Sequence, residues 1–196
     1  MPSEPTILAF DTSAAHCAAA LLREGKIIAS HAEAMTRGQA ERLMPLLEEI
    51  LTRNNCTWRH LDAIAVGIGP GNFTGIRISV SAARGLALGL GVPAVGVSGF
   101  DAVAEIAPDG HLPAIAAPRD QVYVQPKGRA PYLTLRHAAD DIGPLYFCED
   151  PEQQARAIAQ VAAGRWTTVQ APPAPLYVRP ADAAPSSDVP PVLLDE

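Results

Sequence analysis

Two short stretches carry residue types that could do chemistry. The first is Asp11-Thr12-Ser13, a carboxylate and two hydroxyls where the apolar run Thr6 to Phe10 gives way to a turn. An acid there can hold a divalent cation while hydroxyls and backbone N–H groups wrap phosphates, an arrangement that suits a kinase or an ATPase. It can equally close an Asx turn at the mouth of a hairpin. The second stretch is Ile68 to Ser79, IGPGNFTGIRIS, which sets Gly69, Gly71 and Gly75 within seven residues and ends in a helical pattern.

Neither well-defined phosphate loop fits the second stretch. A dinucleotide fingerprint needs G-x-G-x-x-G and an acid about 20 residues later. Here the last glycine comes one residue too late, and no Asp or Glu lies between Asp62 and Asp101. A P-loop needs a lysine after its last glycine to neutralise phosphate, and Gly75 is followed by Ile76 and Arg77. What remains is a strand-to-helix turn whose N–H groups gather at a helix N-terminus, with Asn72 or Thr74 as cap. That geometry suits an anion in general, so Asp11, Thr12, Ser13, Gly69, Gly71, Asn72, Thr74 and Gly75 form the candidate nucleotide or anion site. The competing reading, which composition favours, is that the glycines supply positive φ and close approach with nothing bound.

Other catalytic constellations are missing from the sequence. His16, His31, His60, His111 and His137 are isolated, with no H-x-x-x-H or H-E-x-x-H spacing to put two ligands on one helical face. No G-x-S-x-G elbow or cysteine nucleophile motif occurs. The expectation is no catalytic residue and no metal ligand in this chain.

The elements that would position these stretches can be read from apolar spacing. Thr6 to Phe10, Cys17 to Leu22 and Lys26 to His31 have strand length and end in turn residues, which predicts three opening strands, the first two a hairpin. Arg37 to Asn54 has helical spacing. Leu43, Leu47 and Ile50 form one stripe, Met44, Leu46 and Leu51 widen it, and Pro45 predicts a kink. An arc that wide fits either a helix well buried in its own domain or one shared with a partner. Asp62 to Ile68 reads as a buried strand, followed by the glycine loop, a helix from Thr74 or Gly75 to Leu90, and the strand Ala94 to Val97. From Ala63 to Phe100 the only charges are Arg77 and Arg84. A helix with so little charge would expose bare apolar area on an ordinary surface, which predicts cover on both sides.

Beyond Ser98 the pattern predicts a helix over Phe100 to Ile106 and short strands over His111 to Ala117, Gln121 to Gln125, Tyr132 to Arg136 and Leu145 to Cys148. An alanine-rich helix over Glu152 to Ala163 follows. The domain expectation is a unit over 1–100, a smaller one over 101–170 and a Pro-rich tail over 171–196, with two strand-rich halves on a duplicated α/β plan.

Composition narrows the function classes. The chain has 196 residues, 48% of them apolar, enough for a core. Its net charge of -6 and the absence of basic runs argue against independent nucleic-acid binding. The three scattered cysteines, Cys17, Cys56 and Cys148, fit reduced thiols in a cytoplasmic protein. Neither a secretory signal nor a membrane-length apolar run is expected.

The segments ILAFDTS, GQAERLMPLLEEIL and LDAIAVGIGPGNFTGIRISVSAARGLALGLGVPAVGVSGFDAVA, with PLYVRP from Pro175, resemble the TsaB family, densely from Ile7 to Glu105 and thinly afterwards. The resemblance implies an actin-like ATPase (sugar kinase, Hsp70 and actin) fold of the α/β class, with two ribonuclease-H-like subdomains, the second trimmed here. It implies an accessory subunit of the machinery that makes threonylcarbamoyladenosine on tRNA. Such a subunit is a scaffold or activator of TsaD, the relative that carries the metal-binding histidines and does the transfer chemistry. TsaE belongs to the same complex, tRNA is met only through it, ATP or ADP only in the assembled complex, and the chain alone would form a homodimer.

The resemblance further implies that the two front helices form the subunit interface, through Glu41, Met44, Leu47 and Leu51 on the first and Arg77, Ser79, Ala83 and Leu86 on the second. Two family motifs are altered. Gln39-Ala40-Glu41 replaces His-Ser-Glu, and Ala116 to Tyr123 lacks both acids of Asp-Ala-Arg-x-x-Glu-Val-Tyr. The alternative functions are an ATP-dependent phosphotransferase or ATPase using Asp11 and the Gly69 to Gly75 loop, and the glycoprotease role attached to the superfamily, which needs a metal.

Overall fold

The structure is a computed structural model that describes residues 4–178, so most of the tail expected over 171–196 lies outside the described residues. Strand β1 (Ile7–Asp11) pairs antiparallel with β2 (His16–Arg23), and β2 pairs antiparallel with β3 (Lys26–Ala34). Strands β4 (Ala63–Gly67) and β5 (Ala94–Val97) add parallel on the other side, giving the order β3-β2-β1-β4-β5. Every residue of β1 and β4 is buried, which is why both read as unbroken apolar runs.

The two faces of this sheet differ in side-chain size. Alternate residues point to opposite faces. The front face carries Leu8, Phe10 and Val66 and packs with Leu43, Leu46 and Leu47 of α1 (Gln39–Arg53) and Ile76, Val80 and Ala83 of α2 (Phe73–Leu90). The back face carries Ile7, Ala9, Ala63 and Ala65 and packs with α5 (Pro151–Ala163) and Ala102 of α3 (Gly99–Ile106). Small residues on this side meet the small face of α5, where Ala155, Ala157, Ala159 and Ala162 are all buried. The alanines of α5 are thus the complement of an alanine-rich sheet face.

The second sheet repeats the first on a smaller scale. Strands β6 (Leu112–Ala117), β7 (Gln121–Val124) and β8 (Tyr132–Leu135) pair antiparallel, and β9 (Leu145–Tyr146) lies parallel to β6, in the order β8-β7-β6-β9. Third, second, first, fourth is the order of the larger sheet with its fifth strand missing. The short helix α4 (Arg136–Asp140) stands between third and fourth strands as α1 does in the first half. Its core consists of Ala114, Val122, Val124 and Ala139. This is the actin-like α/β class with the second unit trimmed.

Several sequence expectations shift. The helix over Gln39–Arg53 runs through Pro45 without interruption, and Pro45 sits on its exposed side. Helix α4 was not expected, and β9 ends two residues before Cys148. Within 101–170, both α3 and α5 belong to the packing of the first sheet. Cys17 and Cys56 are buried in the front core as small hydrophobes, and burial pushes the Cys17 thiol up to about 11. Arg42 ties β3 to α1 by donating from Nε and Nη2 to Glu33 at 2.9 and 2.6 Å and from Nη1 to Glu49 at 2.7 Å, and it holds both carboxyls below their usual range.

The wide apolar arc of α1 is mostly spent inside the chain, since Leu43, Leu46, Leu47, Ile50 and Leu51 are all buried and only Met44, at 37% exposure, is left outside. Leu47→Ala is therefore expected to cost about 2–5 kcal/mol in urea unfolding, and Met44→Ala about 0.5 kcal/mol or less. Equal effects would contradict this assignment of faces.

Candidate functional site

Asp11 closes β1 at the point where the chain leaves the sheet, and it is fully buried. Its Oδ2 accepts from the Ser13 N–H at 3.1 Å and the Ser13 hydroxyl at 2.8 Å, and His16 Nε2 lies 2.8 Å away. Its Oδ1 is buried with no partner among the described residues and lies against Gly67, where a Cβ would meet it at 2.1 Å. Thr12 Oγ1 donates to the carbonyl of Gly75 at 2.7 Å.

The glycine loop rests directly on this turn. Asn72 N–H donates to the carbonyl of Ser13 at 2.6 Å. A Cβ on Gly71 would stand 2.4 Å from the Ser13 carbonyl oxygen, and one on Gly75 would stand 1.9 Å from that of Thr12. These are backbone atoms, so only glycine fits at either position. Asn72 is the N-cap of α2 and accepts from the Gly75 N–H at 2.8 Å, which makes Thr74 an exposed residue of the first turn. Gly69, at φ 93, turns the chain and accepts from the Gly99 N–H at 2.8 Å.

Asp11, Thr12, Ser13, Gly71, Asn72 and Gly75 pack against one another, whereas Thr74 is exposed at the cleft and Gly69 bonds to Gly99. The Asp11 Oδ2, Thr12 and Ser13 hydroxyls and Asn72 amide oxygen are each engaged in an internal hydrogen bond. Beside them lies an open cleft of about 1150 Å³ between the two sheets, bordered by Ser13, Asn72 and Thr74 on one side and Ile115 and Tyr123 on the other. Its only charged lining side chains among the described residues are Arg37 and Glu41, and Asp11 is sealed off from it. Among the described residues no second cation lines the cleft. No group of three or more metal-ligating side chains occurs among the described residues, nor is any helix long and apolar enough to cross a membrane.

The eight candidate interface residues divide in two. Leu47, Leu51, Ser79 and Ala83 are buried in the front core, and Ser79 hydroxyl donates to the carbonyl of Ile76 at 3.2 Å. Glu41, Met44 and Arg77 are exposed, and Leu86 is half-buried. The outer face of α2 also carries Ser81, Arg84, Gly85 and Leu88, and Leu88 is 86% exposed. Sequence reasoning passed over Leu88, although the 4-3-4 spacing of Arg77, Ser81, Arg84 and Leu88 puts it on one stripe with both arginines. It also assigned no contact to Tyr177. Its ring stacks on Phe73 at 4.8 Å and its hydroxyl accepts from Arg77 Nε at 2.9 Å, while the Arg77 guanidinium lies 3.8 Å above Phe73. The strap is pinned by the Leu176 N–H, which donates to the carbonyl of Ile68 at 2.8 Å.

Residues 26–173 match the family described as TsaD: tRNA N6-adenosine threonylcarbamoyltransferase. The tRNA threonylcarbamoyladenosine biosynthesis protein TsaB of Escherichia coli K12 is 42% identical over 92 residues, 47% of this chain and 39% of that protein. Rv3421c of Mycobacterium tuberculosis H37Rv, an uncharacterized protein, is 31% identical over 204 residues, covering 92% of this chain and 94% of its own length. The solved structure of YeaZ from Pseudomonas aeruginosa superposes with a TM-score of 0.70 at 28% identity, over 88% of this chain and 99% of that one. The chain spans about half the length of the first curated TsaB relatives it matches, between 39% and 52%.

Two glycines with opposite surroundings test the geometry. Gly75→Ala drives a methyl into the Thr12 carbonyl and is expected to cost more than about 3 kcal/mol. Gly85→Ala, in mid-helix with nothing within 4 Å of the added carbon, is expected to stabilise by roughly 0.4–1 kcal/mol. Thermal and urea unfolding of the two variants measure both, and a tolerated Gly75→Ala would contradict the packed loop.

Proposed function

The chain belongs to the TsaB family, and we propose from that premise that it is a non-catalytic scaffold and activator subunit. It binds TsaD during threonylcarbamoyl transfer to the anticodon-adjacent adenosine of tRNA. The observation that carries this reading is the outer face of α1 and α2. It is an exposed two-helix surface with a bare leucine at 86% exposure, two arginines without a carboxylate partner among the described residues, and no acid anywhere on α2. A contiguous exposed face of that kind supports the reading as a protein contact. The curated relatives named for threonylcarbamoyladenosine biosynthesis and the matched transferase family support the choice of partner.

The remaining assignments follow from this one. TsaE joins the same complex, tRNA is reached through it, ATP or ADP enters only once it is assembled, the chain alone forms a homodimer, and the setting is cytoplasmic. The phosphotransferase alternative loses its support in the site geometry, because the acid it needs is buried behind the turn and the hydroxyls are already bonded internally.

Light scattering on the purified chain mixed with its cognate TsaD tests the proposal. A one-to-one complex is expected. Leu88→Asp, on an open surface, should leave the melting temperature within a degree or two while weakening the complex at least about tenfold, since a charge is forced into a desolvated contact. An unchanged complex in Leu88→Asp, or none with the unmodified chain, would overturn it.

A further inference from the structure

Two side chains of this chain converge on Arg77, one of them from 100 residues away in sequence. The Phe73 ring, one turn earlier on α2, lies under the guanidinium at 3.8 Å, and the Tyr177 ring stacks on Phe73 at 4.8 Å. The Tyr177 hydroxyl accepts from Arg77 Nε at 2.9 Å. One face and one edge of the guanidinium are therefore occupied from within the chain. Its two Nη groups have no partner among the described residues, and Arg77 is exposed. Arg84, on the same exposed stripe of α2, has no hydrogen bond, ion pair or ring contact among the described residues. The two arginines share a charge and a helix, and differ in how far each is fixed before anything binds.

The Tyr177 hydroxyl is not what holds the strap down. One residue earlier the Leu176 N–H donates to the carbonyl of Ile68 at 2.8 Å, and Pro173 lies against Gly96, where an added Cβ would stand 3.1 Å from that of Pro173. The stacking on Phe73 needs only the ring. What the hydroxyl adds is specific to Arg77, because it fixes the rotation of a long side chain that otherwise loses rotamer freedom on binding. A guanidinium held by Nε and by one face presents both Nη groups as a fork, and that fork matches a carboxylate bidentately.

We propose that Tyr177 is a positioning residue: with Phe73 it sets the Arg77 fork in advance to receive a carboxylate of the docked TsaD, so that Arg77 and not Arg84 is the cation on which this contact turns. The inference rests on the reading of the α1 and α2 face as the TsaD docking surface. It adds the chemical group that the partner presents near the start of α2 and the part of this chain that prepares for it. No acid on α2 stands in the way of that carboxylate.

Titration calorimetry of the full chain with its cognate TsaD tests it. Arg77→Gln should weaken the complex at least about tenfold and Arg84→Gln about threefold or less, while Tyr177→Phe, which keeps the ring and deletes the acceptor, should weaken it about fivefold. All three variants should melt within about two degrees of the unmodified chain. In the Arg77→Gln background Tyr177→Phe should have no further effect, because its role runs through Arg77. Arg77→Lys, which keeps the charge and loses the fork, should not restore the affinity. Tyr177→Phe binding as tightly as the unmodified chain, losses that add in the double variant, equal losses in Arg77→Gln and Arg84→Gln, or full affinity in Arg77→Lys would each overturn the proposal. Weakening by Leu88→Asp alongside unchanged binding in Tyr177→Phe would sink the positioning role and leave the docking reading in place, whereas an unmodified chain that binds no TsaD would overturn both.

Discussion

The contact of the Gly71–Gly75 backbone with the Thr12 and Ser13 carbonyls is the constraint from which the rest of this molecule follows. A single methyl at Gly75 would stand 1.9 Å from a carbonyl oxygen, so the two loops touch main chain to main chain. That contact fixes where α2 starts, because the Asn72 cap and the Thr12 hydroxyl both bond to Gly75. It also closes off Asp11 and uses up the hydroxyls that would otherwise turn toward a phosphate. This corner is a main-chain joint between the two loops.

Fixing the start of α2 fixes its orientation. Gly75, Ile76, Ser79, Val80, Ala83 and Ala87 go inward, and the small Gly75, Ser79, Ala83 and Ala87 let the helix lie close on the sheet. The complementary face is left with Arg77, Ser81, Arg84, Gly85 and Leu88. Beside it, α1 turns its leucines inward and leaves Glu41, Met44, Pro45 and Glu48 outside. The joint between the loops is thus what presents the two-helix surface, and the strap carrying Tyr177 adds a fixed Arg77 to one end of it.

Much of this was legible in the sequence. The strands of the first sheet and both front helices were found to within about three residues, because buried runs and helical stripes are strong signals when both faces of a sheet are covered. The failed spacing at Gly69, Gly71 and Gly75 pointed away from a phosphate loop, and the structure gives the glycines their reason. What the sequence hid was depth. Periodicity places Leu47, Leu51, Ser79 and Ala83 on helices without telling which neighbour they meet, and all four meet the chain's own core. The affiliation of α5 was hidden too, since its alanines match a sheet face built more than 80 residues earlier in the chain. Tyr177 is a contact at a separation of 100 residues, which no local pattern reveals.

The central claim is that the outer face of α1 and α2, and not the cleft beside the glycine loop, is where this chain does its work. Hydrogen exchange of the chain with and without its cognate TsaD measures this most directly. The account predicts slowed exchange confined to 39–53, 73–90 and the strap around Tyr177, with the second sheet unchanged. Protection centred on β6, β7 and the cleft walls, with α2 exchanging as in the free chain, would contradict it.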